Sequence, residues 1–207
     1  MVRRCRGYDQ CGPIASGARP AFHSDDGIAQ LSAGLLFAGH ETTVAAIDRG
    51  VLLLATNQDQ RSALQADASL IETAVEEILR YPDPLEPADS VAPVGLPRYA
   101  HAVVQVDGVT IKAGELVLLA LYEANLDSAV FDQSDEFDIR RTDNPHLTFG
   151  HGARYCLGAP LARIELQCVL ATLVGRVPSL RLAVPLDALR PKSHLLTGGL
   201  MELPVTW

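Results

Sequence analysis

The chain has 207 residues, with 17 lysines and arginines against 25 aspartates and glutamates, for a net charge of −8. That balance excludes a nucleic-acid face, whose phosphates demand clustered cations, while an apolar fraction of 48% is enough for a real core. The four cysteines at 5, 11, 156 and 168 lack the paired spacing of a zinc site and form no disulfide framework, so a reducing compartment is expected.

Residues 1–23 read as an irregular leader, because Gly7, Gly12, Pro13, Gly17 and Pro20 break any period. The basic opening has no apolar run behind it, so it is no signal peptide. Residues 24–207 then form the folded part. Ser24 offers a capping hydroxyl, with Asp25 and Asp26 at the positive end of a helix. No proline follows until well past Ala55, and Ile28, Leu31, Leu35, Phe37, Val44, Ile47, Val51 and Leu54 fall on every side. This predicts a long central helix, buried all round and roughly 40 Å long. Its uncharged stretch stops at Glu41, short of the roughly 18 apolar residues of a membrane span. No membrane association is expected, and the protein reads as cytoplasmic.

The middle of that helix breaks its own pattern with Ala38-Gly39-His40-Glu41-Thr42-Thr43. A glycine there costs about 1 kcal/mol against alanine. A buried carboxylate costs more unless it is paired or used. Two readings stay open: a functional notch, or a kink from which Glu41 reaches solvent.

A short charged helix is expected from Gln58 to about Gln65, and another from Leu70 to Tyr81, stopped by Pro82 and Pro84. Glu77 and Arg80 share a face of the latter; on spacing alone they read as a surface salt bridge worth under about 1 kcal/mol. Residues 85–97 read as a loop. From Arg98 the period becomes two, and Val104, Val106, Val109 and Ile111 flank the hairpin signal Asp107-Gly108. Leu116–Leu119 is another strand, or the start of a short helix through Asn125. Phe131 to Asn144 is acidic and irregular. A last helix, 161 to about 175, is expected to pack Leu161, Ile164, Leu166, Val169, Leu170 and Leu173, with Cys168 as inert packing in that core. Residues 195–203, with Gly198-Gly199, read as a terminal hairpin. His23, His101, His146, His151 and His194 read as polar surface.

The stretch before the last helix is Phe149-Gly150-His151-Gly152-Ala153-Arg154-Tyr155-Cys156-Leu157-Gly158. Gly150 and Gly152 let the backbone turn back and approach something closely. Pro160 suits a first helical turn, so Cys156 lies just before a helix N-terminus, where a thiolate is favoured. Such a thiolate, with an aromatic before it and a cation two residues away, suits an axial position on haem iron. A free cysteine on a glycine-rich loop is the plainer alternative.

The segments FGHGARYCLG and AGHETT, with ExxR between them, resemble the haem-binding loop, distal helix and third motif of the cytochrome P450 family. The resemblance runs from about residue 25 to the end and corresponds to the C-terminal half of that family's domain. It implies a mainly α fold with a small β-region. It implies haem b (iron protoporphyrin IX) with Cys156 as the iron ligand, held in a loop of Phe149, Gly150 and Gly158. Ala38 and Gly39 would leave room above the iron. Glu41 and Thr42 would be the catalytic acid–alcohol pair, with Thr43 a flanking hydroxyl. Arg98 and Arg154 would each reach a haem propionate through paired N–H bonds, although Arg98 also reads as an exposed strand end. Glu77 and Arg80 would be a buried structural pair. One departure is Glu136 before Phe137, where the family carries a basic residue; it is expected to place a carboxylate near Glu77, with Arg140 or Arg141 compensating.

The implied activity is that of a haem-thiolate monooxygenase. It would insert one atom of dioxygen into a small organic substrate, with electrons from NAD(P)H through a ferredoxin or flavoprotein reductase. The alternative is a truncated, non-catalytic remnant that binds haem weakly or not at all, because the N-terminal half of the domain is expected to be missing. A helical interaction module without cofactor explains the long helix but not the glycine-spaced cysteine.

Overall fold

The computed structural model describes residues 24–85, 95–192 and 198–207. The expected leader 1–23, with Cys5, Cys11 and His23, lies outside the described residues, as do most of the expected loop 85–97, His194 and residues 195–197 of the expected terminal hairpin.

The fold is mainly helical, with three two-stranded antiparallel pairs among the described residues. Helix α1 spans Asp25–Thr56. At 1.5 Å per residue its 32 residues run about 48 Å. The Ser24 side chain accepts the Gly27 N–H at 3.1 Å, satisfying one of the donors that a helix start leaves open. Helix α2 spans Gln58–Ala66, and a single 3-10 turn, Ala68–Leu70, leads into α3, Ile71–Arg80. After Pro82 and Pro84 the chain enters the β-region. Strand β1, Leu96–Tyr99, pairs with β4, Leu116–Leu119, and encloses the hairpin of β2, Val104–Val106, and β3, Val109–Ile111. The hairpin turns at Asp107 and Gly108, both with positive φ. A short helix α4, Leu121–Asn125, an irregular meander and α5, Ala159–Arg176, follow. Strands β5, Arg181–Leu182, and β6, Val205–Thr206, close the chain.

The core lies where the helices meet. Ala46, Leu53 and Leu54 of α1 pack with Leu64 of α2, Val75, Ile78 and Leu79 of α3, Phe137 and Ile139 of the meander, and Leu166 and Leu170 of α5. A smaller cluster joins Leu52 to Leu189 and Leu200 of the C-terminal segment. That segment folds back as a hairpin: Lys192 N–H bonds to Gly199 O and Met201 N–H to Arg190 O.

Three expectations about burial are corrected. Helix α1 is buried only from Thr43 onward, while Ile28, Leu31, Leu35, Leu36 and Phe37 are exposed. On α5, Leu161 and Ile164 are exposed because the core takes the face of Leu166 and Leu170. Cys168 is exposed too, two residues along from Leu166 and so on another side of the helix. Apolarity on every side has here left the N-terminal half of α1 and one face of α5 uncovered.

Candidate functional site

The most fully bonded pair is Glu77 with Arg80. Both side chains are fully buried. The guanidinium meets both carboxylate oxygens, Nε to Oε2 at 2.8 Å and Nη2 to Oε1 at 2.7 Å. Its remaining N–H groups donate to the carbonyls of Asn125, Ser134 and Glu136. All five donors of the guanidinium are therefore used. Glu77 in turn accepts from Asp138 N–H, Asn144 Nδ2 and Arg141 Nε. The meander thus reaches this pair largely through its backbone. Glu136 contributes its carbonyl and is otherwise exposed, so the expected carboxylate beside Glu77 is not there, and Arg141 supplies the second cation.

The cysteine loop is tied to the same scaffold. Asn125, buried at the end of α4, accepts Leu147 N–H and donates to Thr148 Oγ1, which itself donates to Leu79 O at 2.6 Å. Beyond Thr148 the chain bends through Gly150 and Gly152, each at φ 75°. This is a left-handed conformation that side chains resist, and a Cβ at either position would meet nothing within 4 Å. Cys156 N–H then bonds back to Phe149 O at 2.9 Å, and Ala159 N–H to Cys156 O at 3.3 Å, which starts α5. The Cys156 side chain is exposed. Leu157 beside it is 86% exposed, the most open large apolar residue described. Gly158 is the residue before α5, and a Cβ there would stand in ordinary contact with Sγ, at 3.9 Å.

A second group, half-buried and not legible in the sequence, supports this loop. Arg163 of α5 donates to both oxygens of Glu76 at 2.7 and 2.8 Å, and to the Tyr155 hydroxyl at 3.2 Å. The face of its guanidinium lies 4.6 Å from the centroid of Phe149. His146 completes the group, with Nε2 3.1 Å from Glu76 Oε2. Its side chain is only 2% exposed, which corrects the expectation of a surface histidine. Burial pushes the Glu76 carboxyl up, but the hydrogen bonds from His146 and Arg163 outweigh it and hold the group at about 2.

The notch in α1 stands in the open half of the helix. Thr42 Oγ1 donates to Ala38 O at 2.7 Å. A Cβ on Gly39 would meet nothing within 4 Å. Glu41 is about one-third exposed and lies 3.6 Å from His40 Nδ1. Arg98 is exposed on β1, with Nη1 bonded to Pro97 O, and Arg154 is exposed in the 3-10 turn Gly152–Arg154. Arg154 belongs to the cysteine loop, two residues before Cys156; among the described residues, no hydrogen bond or ion pair joins residues 38–42 or Arg98 to that loop. The structure pairs Glu77 with Arg80 and holds Phe149, Gly150, Arg154, Cys156 and Gly158 in one loop, while residues 38–42 lie on the exposed half of α1 and Arg98 on β1.

These features suit an iron porphyrin. Among the described residues no cluster of three or more His, Cys, Asp or Glu gathers. Cys156 therefore offers a metal a single bond, which suits an ion that arrives with its own ring of nitrogens. The sulfur is exposed beside the open Leu157 side chain, and Arg98 and Arg154 are exposed as well.

Residues 19–177 match the family model described as cytochrome P450. Pentalenolactone synthase of Streptomyces exfoliatus is 44% identical over 185 residues, taking in 89% of this chain and 46% of that protein. Mycinamicin IV hydroxylase/epoxidase of Micromonospora griseorubida is also 44% identical, over 89% of this chain and 45% of its own length. Among solved structures, a Streptomyces peucetius CYP105P2 complex with a biphenyl compound superposes with a TM-score of 0.79 at 42% identity, covering 93% of this chain and 47% of that one. The chain spans about half the length of the curated relatives it matches. Among the described residues no helix is long and apolar enough to cross a membrane.

Proposed function

The chain belongs to the cytochrome P450 family, and on that footing we propose that it is the iron-ligating half of a cytoplasmic haem-thiolate monooxygenase acting on a small organic substrate. The observation that carries this reading is the exposed Cys156 sulfur, held where a loop bent by two left-handed glycines runs into α5.

In this reading Cys156 would ligate haem b, and Arg98 and Arg154 would pair with its propionates. When bound, that group supplies redox and dioxygen chemistry, with electrons from NAD(P)H through a ferredoxin or flavoprotein reductase. The protein's own part is to place the sulfur and to move protons. Phe149 O takes the Cys156 N–H and fixes the backbone behind the sulfur. Thr42 Oγ1 gives its proton to Ala38 O, leaving its lone pairs to accept from water. Glu41, partly exposed and next in sequence, can take a proton from solvent and pass it to water at Thr42 Oγ1. The open space at Gly39 leaves room for that water.

A second reading has its own observation. The apolar first half of α1, with Leu157, Leu161 and Ile164, is uncovered, as befits a chain spanning half its relatives' length. The chain would then bind haem weakly or not at all and would turn nothing over.

The test is to reconstitute the purified chain with hemin, reduce it and add carbon monoxide. Monooxygenase-type ligation gives the red-shifted Soret band of a thiolate complex, and Cys156→Ser abolishes it. A band that survives that substitution refutes the assignment of Cys156. Haem uptake without NAD(P)H consumption, in the presence of a ferredoxin system, selects the second reading.

A further inference from the structure

The cysteine loop is fixed firmly at its ends and sparsely between them. Its entry is held by Asn125 and by Thr148 on the Leu79 carbonyl. Its exit is the first turn of α5. Between Phe149 and Cys156 the backbone hydrogen bonds are internal: Gly150 to Leu147, Tyr155 to Gly152, and Cys156 to Phe149. Internal bonds shape a loop without orienting it on the body of the protein. Two left-handed glycines in the middle add conformational freedom.

Arg163 supplies the orientation. Its face lies over the ring of Phe149, whose carbonyl holds the Cys156 N–H, and one edge bonds the hydroxyl of Tyr155, the residue before the sulfur. Its other edge is locked by two parallel bonds to Glu76 on α3. A planar cation can stack and bond in two directions at once, which an ammonium cannot. We propose that Arg163, clamped by Glu76, is the positioning residue for Cys156: beyond any share in stability, it sets how the sulfur is presented. This rests on the reading of Cys156 as the iron ligand.

The experiment compares wild type with Arg163→Lys, Arg163→Gln and Glu76→Gln, using Glu72→Gln on the same helix as control. In the haem-free chain, amide exchange of segment 149–156 should rise at least tenfold in all three variants. Protection at Val75 and Ile78 in the core of α3 should persist in Arg163→Lys. In the hemin-loaded, reduced, carbon monoxide complex, Arg163→Lys should bind haem yet lose at least half of the red-shifted band. The Glu72→Gln control should match wild type in both assays. Unchanged exchange of 149–156 in Arg163→Gln overturns the proposal, as does a wild-type segment already exchanging at the free-chain rate. An undiminished band in Arg163→Lys at equal haem content overturns it as well. If wild type gives no red-shifted band, it is the reading of Cys156 as ligand that fails, and the exchange comparison still decides the role of Arg163 in holding the loop.

Discussion

Replacing Glu77 by glutamine tests how much of the fold rests on one charge. The substitution keeps shape and volume, so what changes is the charge and half of the acceptor capacity. Glu77 Oε2 accepts from Arg80, Arg141 and Asn144, and Oε1 from Arg80 and Asp138. Whichever oxygen becomes an amide nitrogen, two or three buried or half-buried donors lose their partner, at about 1–3 kcal/mol each before relaxation. Two guanidinium groups are also left without the charge that offsets their burial. Breaking a buried pair from one side typically costs about 3–5 kcal/mol. The two routes, about 2–9 kcal/mol and about 3–5 kcal/mol, overlap at about 3–5 kcal/mol, a large fraction of the 5–15 kcal/mol typical of a domain. Urea denaturation followed by far-UV circular dichroism measures it. A loss below about 1 kcal/mol would mean that the five hydrogen bonds to Glu77 are not what holds the meander, and the account of this core would fail. Arg80→Lys keeps the positive charge but must leave at least two of the five acceptors unmet, so it should also destabilise by more than about 2 kcal/mol.

Glu76 gives a prediction in pH. Its carboxyl is lowered in the fold from 4.5 to about 2, so its contribution, about 3 kcal/mol by linkage, is complete above pH 4.5 and is lost as pH falls toward 2. Glu76→Gln should lower stability at neutral pH by about that amount and flatten the acid limb of the urea midpoint against pH. Gly150→Ala should cost about 1–2 kcal/mol from backbone strain alone, since the added methyl meets nothing; an unchanged urea midpoint would show that the left-handed turn is not kept. Gly39→Ala and Gly34→Ala, both inside α1 with open space around them, should each stabilise by up to about 1 kcal/mol, but only Gly39→Ala should weaken haem uptake in a hemin titration. Ser24→Ala should speed amide exchange over the first turns of α1 about fivefold, the equivalent of about 1 kcal/mol, and leave the global midpoint unmoved.

Elements governed by neighbours in sequence were legible. The cap at Ser24, the stop at Pro82 and the turn at Asp107-Gly108 are each decided within a few residues, and each stands within about a residue of where the sequence places it. What escaped depends on partners far along the chain. Glu76 and Arg163 are 87 residues apart, and nothing in either local pattern names the other. His146 reads as surface from its own polarity, yet its side chain is buried against Glu76 of that same distant group. The mistaken expectation for Glu136 has another origin. A sequence lists side chains, whereas Arg80 reads the meander through carbonyls, and a carbonyl is the same whichever residue carries it.

The same contrast separates scaffold from site. Around Arg80 every donor has an acceptor, an arrangement with no spare bond for a ligand, so its role is to hold other elements still. Around Cys156, Arg98, Arg154 and Gly39 the opposite holds: a sulfur, two cations and a glycine face outward, and neither glycine crowding nor an ion pair among the described residues explains their presence. Glycine in a helix costs stability, and an exposed cysteine gains none from packing. Residues that cost stability or leave it unchanged, and that the fold does not use, make sense if something outside the chain uses them. The link between the two regions is short: Thr148 bonds to Leu79, one residue before Arg80, and Phe149 carries the carbonyl that holds the Cys156 N–H. The rigidity of the fully bonded pair therefore reaches the sulfur through one side-chain bond, one ring and one backbone bond. Arg163 is the one side chain described that steadies that ring and also bonds the residue next to the sulfur.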